Sequence, residues 1–401
     1  MLNVLIYFRM HQPYRLRKLS IFDIGNVDSV FDYNLTKSVI EQVSSLSYRP
    51  TLSLLKKLIT KNEGKFKFSI SFSGLLIEQL KEYCPDILEL LKELVETKSV
   101  EIIAEPYYNS LSFLYDENEF IYEINKHINL IYNLFNFIPK TFRNTYLIYS
   151  NKIADSLRGF TSIKNILTEP TEKLIGFKPP VYLYKAYGKN PQSILLRHQK
   201  LSDDLSFNFS NKNWKEFPLT AEKYSKWIND LQFCDKKAKN LYCNLIFDIE
   251  TYGYYNKENT GIFEFLYDFP SLILKNSNEK TRFLLPEEIE KETNQDLEIY
   301  STKDYISMAN LSKNLEPFIG NDLQKNSQMA LYSLIMQAKE MKEEIYLENL
   351  RKLSNVDYFY YMSDNFFAEN IDYKSISNFP SPSFAYQNFL YTLSDIEEKL
   401  I

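Results

Sequence analysis

The sequence is poor in residues that build metal and disulfide sites. Three cysteines, Cys84, Cys234 and Cys243, in 401 residues are too few and too scattered for a disulfide framework or a zinc cluster, and they suggest a reducing compartment. Three histidines, His11, His127 and His198, cannot assemble a local histidine-rich metal site, and no two stand at helical spacing. No metal and no cofactor is expected. Among only 9 glycines there is no Gly-x-Gly-x-x-Gly or Walker-type loop, which removes the main support for dinucleotide or P-loop binding. Basic excess is missing too: 47 Lys and Arg against 52 Asp and Glu leave a net charge of −5, unlike a nucleic-acid binder. Residues 127–139, an uncharged and largely apolar stretch, fall short of the about 20 apolar residues that span a bilayer. The apolar run 2–8 breaks at Arg9 and lacks a basic start and a small-residue cleavage site, so it does not read as a secretory signal. A cytoplasmic protein with neither nucleic-acid nor membrane partner is expected.

Aromatic residues are abundant at 15%, chiefly 31 Tyr and 29 Phe. An AT-rich coding bias and a sugar-stacking surface both account for this. The length fits one large domain, or a core domain with a smaller companion. Up to about residue 265 the chain alternates between short β-rich runs and helix-period segments. The runs are 4–8, 66–72, 100–104, 141–144, 163–168, 194–197 and 245–248. Helical spacing is clear at Leu88, Leu91 and Leu94, and at Ile121, Ile124, Ile128, Ile131 and Leu134. This pattern predicts an α/β protein with a parallel sheet under helices, and seven repeats in about 250 residues favour a closed or nearly closed barrel. Beyond residue 270 the strand signal fades. Residues 326–353 and 383–400 read as helices, 357–362 as an aromatic island, and the charged stretch 274–304 as a connector or insertion. The expected domains are a barrel over 1–268 and a helical region over 269–401.

In parallel barrels the reactive groups gather where strands end at their C-termini. The runs lead in turn to His11-Gln12-Pro13, Ser73-Gly74, Glu105-Pro106-Tyr107-Tyr108-Asn109, Asn144-Thr145-Tyr146, Glu169, His198 with Asp203-Asp204, and Asp248-Ile249-Glu250-Thr251. Carboxylates, a histidine and aromatics at one rim suit a carbohydrate site. Duller readings exist for each: a turn for His11, a helix cap for Glu105 or Asp203-Asp204, packing for Tyr107-Tyr108 and Tyr254-Tyr255. Asp248 and Glu250 stand two apart, so on a continuing strand they share a face, where two buried carboxylates need partners or a task.

The residues then resemble a known family. The stretch from Met10 to Leu16 after a strand is similar to the opening signature of glycoside hydrolase family 57, in its α-amylase-like branch. Further similar motifs follow in order: Ser71 to Leu80; Ala104-Glu105-Pro106-Tyr107-Tyr108; Phe142-Arg143-Asn144-Thr145 with Leu147-Ile148-Tyr149-Ser150; Leu201 to Asp204 with Phe207, Phe209, Ser210 and Trp214; Asp248-Ile249-Glu250-Thr251-Tyr252-Gly253; and Tyr360-Tyr361-Met362-Ser363 with residues 380–389. The resemblance implies a seven-stranded parallel (β/α)7 barrel followed by a helical region, acting on α-glucans with retention. Retention requires two carboxyl groups about 5–5.5 Å apart. By motif match Asp248 is the general acid/base, and the nucleophile falls where the family has glutamate and this chain has Tyr146. His11, Glu105, Asn109, Glu250, Tyr252 and Trp214 are the expected substrate-binding residues.

A phenol titrates near ~10 against ~4.3 for glutamate, so Tyr146 cannot act as an anion without a neighbouring base, for which Glu105 or Glu169 would be candidates. Other departures accompany it: Asn109 for a histidine, Tyr254-Tyr255 for a Glu-His pair, and Asp364-Asn365 in the last motif. Three readings follow. One is an α-glucan- or maltooligosaccharide-binding protein whose hydrolysis is lost or strongly reduced. Another is an active hydrolase or 4-α-glucanotransferase with a modified mechanism. The last is a structural or partner-binding protein with a decayed cleft.

Overall fold

The structure, a computed structural model, describes residues 1–275, 280–289, 297–364 and 377–400. Among them ten strands occur in chain order: β1 (Leu2–Met10), β2 (Phe68–Phe72), β3 (Val100–Ile102), β4 (Thr141–Arg143), β5 (Asn165–Thr168), β6 (Tyr184–Ala186), β7 (Ser193–Leu196), β8 (Leu241–Asp248), β9 (Thr281–Phe283) and β10 (Ile299–Tyr300). One sheet runs β3-β2-β1-β8 with β9 also on β1, and the other runs β10-β6-β7-β5-β4. Parallel bridges Ala104↔Phe142 and Arg197↔Asn244 join the two sheets at both seams. Parallel pairing therefore passes from β1 through β2, β3, β4, β5, β7 and β8 and returns to β1. This is the (β/α)7 barrel.

Side-chain alternation sorts each strand into two cores. On β1, Val4, Ile6, Phe8 and Met10 face outward into the cluster shared with the surrounding helices, while Leu5 and Tyr7 point into the barrel with Tyr242, Ile246, Leu167 and Leu195. Period two then fixes what lies above and below this apolar layer. Below it, Glu101 accepts from Thr141 Oγ1 at 2.6 Å and from the Glu287 N–H at 2.7 Å. Above it come Arg9, Glu105, Arg143 and Asp248, at the strand ends. The helices cover the outside with amphipathic faces: Pro85–Glu96 buries Ile87, Leu88, Leu91 and Leu94, each worth ~1.5–3 kcal/mol.

The helices Asp322–Met341, Glu344–Leu353, Val356–Tyr360 and Pro382–Leu400 build a second core that takes in Tyr14, Leu16 and Phe31 from the first barrel loop. The single helix expected over 326–353 is two, because Lys342 takes a left-handed conformation at φ 61° and ends the first. Glycine usually fills that capping position, so a lysine there carries no stop signal. The expected boundary at 268 falls inside helix Ile262–Lys275, and β9 and β10 return to the barrel, strands too short to show alternation. Within the expected connector 274–304, residues 276–279 and 290–296 lie outside the described residues. Among the described residues no helix is long and apolar enough to cross a membrane.

Two buried carboxyls away from the strand ends make stability depend on pH. Burial pushes Glu101 up to about 8 and Glu123, which accepts from the Tyr108 N–H at 3.1 Å and from Ser110, up to about 7. The fold therefore holds protons that the unfolded chain releases above ~4.3. Their contribution is full below that value and is lost as pH rises through 7 to 8. Replacing both, Glu101→Gln with Glu123→Gln, should flatten the fall in melting temperature between pH 5 and pH 9. An unchanged slope would show that neither carboxyl carries it.

Candidate functional site

Register places the first pair. Arg9 and Asp248 are Cα partners on β1 and β8, both on the inward face, so their side chains meet at the barrel mouth. Arg9 Nη1 stands 3.5 Å from Asp248 Oδ1, and the aspartate side chain is 44% exposed against 16% for the arginine. Asp248 thus reaches the solvent more fully than its partner. Arg9 Cζ lies 5.8 Å from the Tyr146 ring centroid, and its Nε and Nη2 are sealed without partners. Burial works against its charge, but Asp248, Glu105, Tyr146 and Asp357 around it raise its pKa overall.

Tyr146 sits just beyond β4 in a tight turn, Thr145–Leu147, with φ 46° and ψ 33°. That left-handed conformation is uncommon for a bulky residue. It is held from outside: the Tyr146 carbonyl accepts from the Met308 N–H at 3.0 Å and from Ser307 Oγ at 3.3 Å. The ring leans on Phe318, 4.8 Å between centroids, and on Tyr360 at 6.4 Å. Burial raises the phenol pKa well above its ordinary value, and Asp357 adds to this while Arg9 opposes it. Among the described residues no group hydrogen-bonds its hydroxyl.

His11 and Glu250 flank this centre. His11 Nδ1 is 2.6 Å from Ser73 Oγ, and its Nε2 is 2.9 Å from Asn355 Nδ2 and 3.3 Å from Asp357 Oδ2. The Ser73-His11-Asp357 order imitates a hydrolytic triad. However, Ser73 is fully buried and its Oγ accepts the Leu76 N–H at 3.2 Å, capping the next helix. It orients the ring and cannot reach a substrate. Asp357 stays below the usual carboxylate range because, against the cost of burial, His11, Arg9 and Arg15 favour its charge. Glu250 Oε1 accepts from Tyr48 OH at 2.5 Å and Gln12 Nε2 at 3.2 Å. Burial, then Asp248, raises its pKa.

Other expected site residues lie elsewhere. Glu105 is 1% exposed and locked to Arg143 Nη1 at 2.8 Å, beneath the mouth. Asn109 is buried at φ 55°, its carbonyl taking the Val356 N–H at 3.0 Å, so it ties the barrel to the helical region. Tyr252 is sealed in the outer core against Phe8 at 5.9 Å and Phe247 at 6.3 Å, leaving no ring face for a sugar. Trp214 packs edge-on against Trp227 at 6.2 Å and rests on the outer core. Glu169, considered as a base for Tyr146, is fully buried with Arg197 Nη1 at 3.3 Å and Lys313. Of the last motif, Asn365, Phe366 and Phe367 lie outside the described residues.

Sequence reasoning missed Arg9, Tyr48, Asn355 and Asp357. Arg9, the lone charge in β1, was a usable signal, since a charge on a buried strand needs a partner. Asp357 carries no such signal, because its place beside His11 comes from packing between segments far apart in the chain. Among the described residues no group of three or more His, Cys, Asp or Glu is placed to hold a metal ion.

A parallel (β/α)7 barrel with opposed charges and aromatics at its strand ends belongs to the enzyme-bearing class of α/β barrels. Within that class the chain belongs to Glycosyl hydrolase family 57, whose sequence model matches residues 5–309. A protein of Methanocaldococcus jannaschii named "Putative alpha-amylase" is 35% identical over 407 residues, covering 97% of this chain and 83% of that one. Among solved structures, the GH57-type branching enzyme of Pyrococcus horikoshii matches with TM-score 0.70 at 13% identity, over 97% of this chain and 88% of its own. The 4-alpha-glucanotransferase of Thermococcus litoralis matches with TM-score 0.62 at 16% identity over 89% of this chain, which spans only 54% of that enzyme. These structural likenesses show the shared fold.

Proposed function

We propose that the barrel mouth binds an α-glucan or maltooligosaccharide and that retaining hydrolysis is lost or strongly reduced. The observation that carries this is Tyr146 at the nucleophile position with no base on its hydroxyl among the described residues. A retaining glycosidase needs a carboxylate there, close to its acid/base partner. The phenol keeps its proton at neutral pH, since burial and Asp357 both oppose its ionisation. Nearby carboxylates are committed elsewhere: Glu105 to Arg143, Glu169 to Arg197 and Lys313, Asp357 to His11, Glu250 to Tyr48 and Gln12. Asp248 remains open to solvent as the acid/base position. The helical region completes the cleft in this reading, because Asn355 and Asp357 come from it. Free Cys84, Cys234 and Cys243 support a cytoplasmic setting.

One observation favours the alternative, an active α-glucan hydrolase or 4-α-glucanotransferase with a modified mechanism: the Arg9 guanidinium lies 5.8 Å from the Tyr146 ring centroid and opposes the rise in its phenol pKa. A glycosyl adduct on Tyr146, seen by mass spectrometry, would mark that mechanism. The test incubates the purified protein with starch, maltooligosaccharides and an activated maltoside, alongside calorimetric titration with maltoheptaose. Binding without turnover is expected. Turnover within about tenfold of an active family member, abolished by Asp248→Asn, would overturn the proposal.

A further inference from the structure

The loop that follows β8 is fixed at several points. The Tyr255 N–H donates to the Glu250 carbonyl at 2.8 Å, and the Gly253 N–H to the Asn256 carbonyl at 2.9 Å. Asn256 Nδ2 reaches the Thr251 carbonyl at 3.0 Å, and Ser210 Oγ binds Asn256 Oδ1 at 2.6 Å. Gly253 has φ +91°, and a Cβ there would collide with the Leu46 carbonyl oxygen, so the loop lies directly against the neighbouring helix. From this rigid loop the three tyrosines part company. Tyr252 is sealed inside, Tyr254 is half-buried on the outer core, and Tyr255 is 62% exposed. Tyr254 meets the Tyr255 ring edge-on, with 5.6 Å between centroids.

Tyr255 also sits beside the site's carboxylates, its N–H on the Glu250 carbonyl at 2.8 Å, Asp248 exposed and Glu250 buried. Glu250 and Asp248 both act on its phenol, after the effect of the protein crowded around it. The Tyr255 ring, 62% exposed on a loop fixed to the Glu250 carbonyl, presents a face to solvent next to Asp248. A pyranose offers such a surface an apolar C–H face for the ring and a hydroxyl edge for the carboxylate.

We propose that Tyr255 is the stacking platform of the cleft, taking the face of one glucosyl residue of an α-glucan while Asp248 meets its hydroxyls. This rests on the glucan-binding half of the proposed function. Its value comes from pre-organisation, since the anchored loop has little freedom left to lose on binding.

Calorimetric titration of the full chain with maltoheptaose tests it. Tyr255→Ala should weaken binding about tenfold or more, equivalent to ~1.4 kcal/mol, while Tyr255→Phe and Tyr255→Trp stay within about threefold of wild type. Tyr255→Gln, which keeps bulk without an aromatic face, should lose binding as alanine does; it also serves if alanine disturbs the loop. Wild-type affinity in both non-aromatic variants would overturn the platform and leave the functional reading intact. Equal losses in the phenylalanine and alanine variants would overturn it as well, by assigning the effect to the hydroxyl. Absence of any α-glucan binding by the wild type would overturn the platform and the glucan reading together.

Discussion

Replacing Tyr146 with glutamate should create turnover of an activated maltoside where the wild type shows almost none, a gain of about 100-fold or more, the range one well-placed catalytic group contributes. The backbone is ready for the exchange. The unusual φ and ψ at this position are held through the Tyr146 carbonyl by Met308 and Ser307, contacts that do not involve the phenol. Arg9, with two sealed and unpartnered nitrogens, lies near the ring and would favour the introduced carboxylate as an anion. An activated leaving group departs without protonation, so its release in the first step reads the nucleophile alone; adding Asp248→Asn should spare that first release and slow the hydrolysis that follows, where the residue acts as base on water. On starch the same addition should remove most of the gained activity, because the alkoxide then needs an acid. A trapped glycosyl-enzyme on the new carboxylate would complete the assignment. Retained glucan binding with no gain on either substrate would show that the tyrosine is not what silences the site.

The seven barrel strands were legible because each is a short apolar or β-branched run, and every expected run overlaps an observed strand. The charged layer above the barrel core was not, although it follows from the same alternation. Parity can be counted only from a known strand, and the sequence reading began β1 at Val4 and ended it at Phe8, one residue before Arg9. His11, Asp248 and Glu250 were singled out because they sit in contiguous motifs directly after strands. Tyr252 was misplaced for the converse reason: a motif records neighbours in sequence, whereas a turn of one residue decides whether a ring points to the cleft or the core. Tyr255, three residues on, took the exposed place. Asp357 was unreadable because its partner His11 lies hundreds of residues away and the contact exists only once the helical region has docked.

Glu105 separates motif membership from substrate contact most sharply, and it yields the largest expected stability effect. Glu105→Leu should cost about 3–5 kcal/mol, the scale for stranding one member of a buried ion pair. Arg143 is only 4% exposed, holds Glu105 at 2.8 Å, and already has its Nε without a partner. Removing the carboxylate leaves a charged guanidinium inside the barrel without its hydrogen-bonded partner and with only the Asp248 charge to answer it. The double variant, Glu105→Leu with Arg143→Met, should recover much of the loss, since both charges then leave together. The deficit of the single variant should also shrink in acid. Burial alone would raise the Glu105 pKa, but Arg143, followed by His127, Arg9 and His11, brings it below the usual carboxylate value. Stability from such a group is present above ~4.3 and fades as pH falls through the lower folded value. Denaturant titrations of the wild type and both variants at neutral and acid pH measure each part. A stable Glu105→Leu protein with weakened maltoheptaose binding would return Glu105 to the substrate. An unstable one rescued by Arg143→Met would make it the counter-charge that lets an arginine stand inside the barrel, just beneath the mouth where Arg9 meets Asp248.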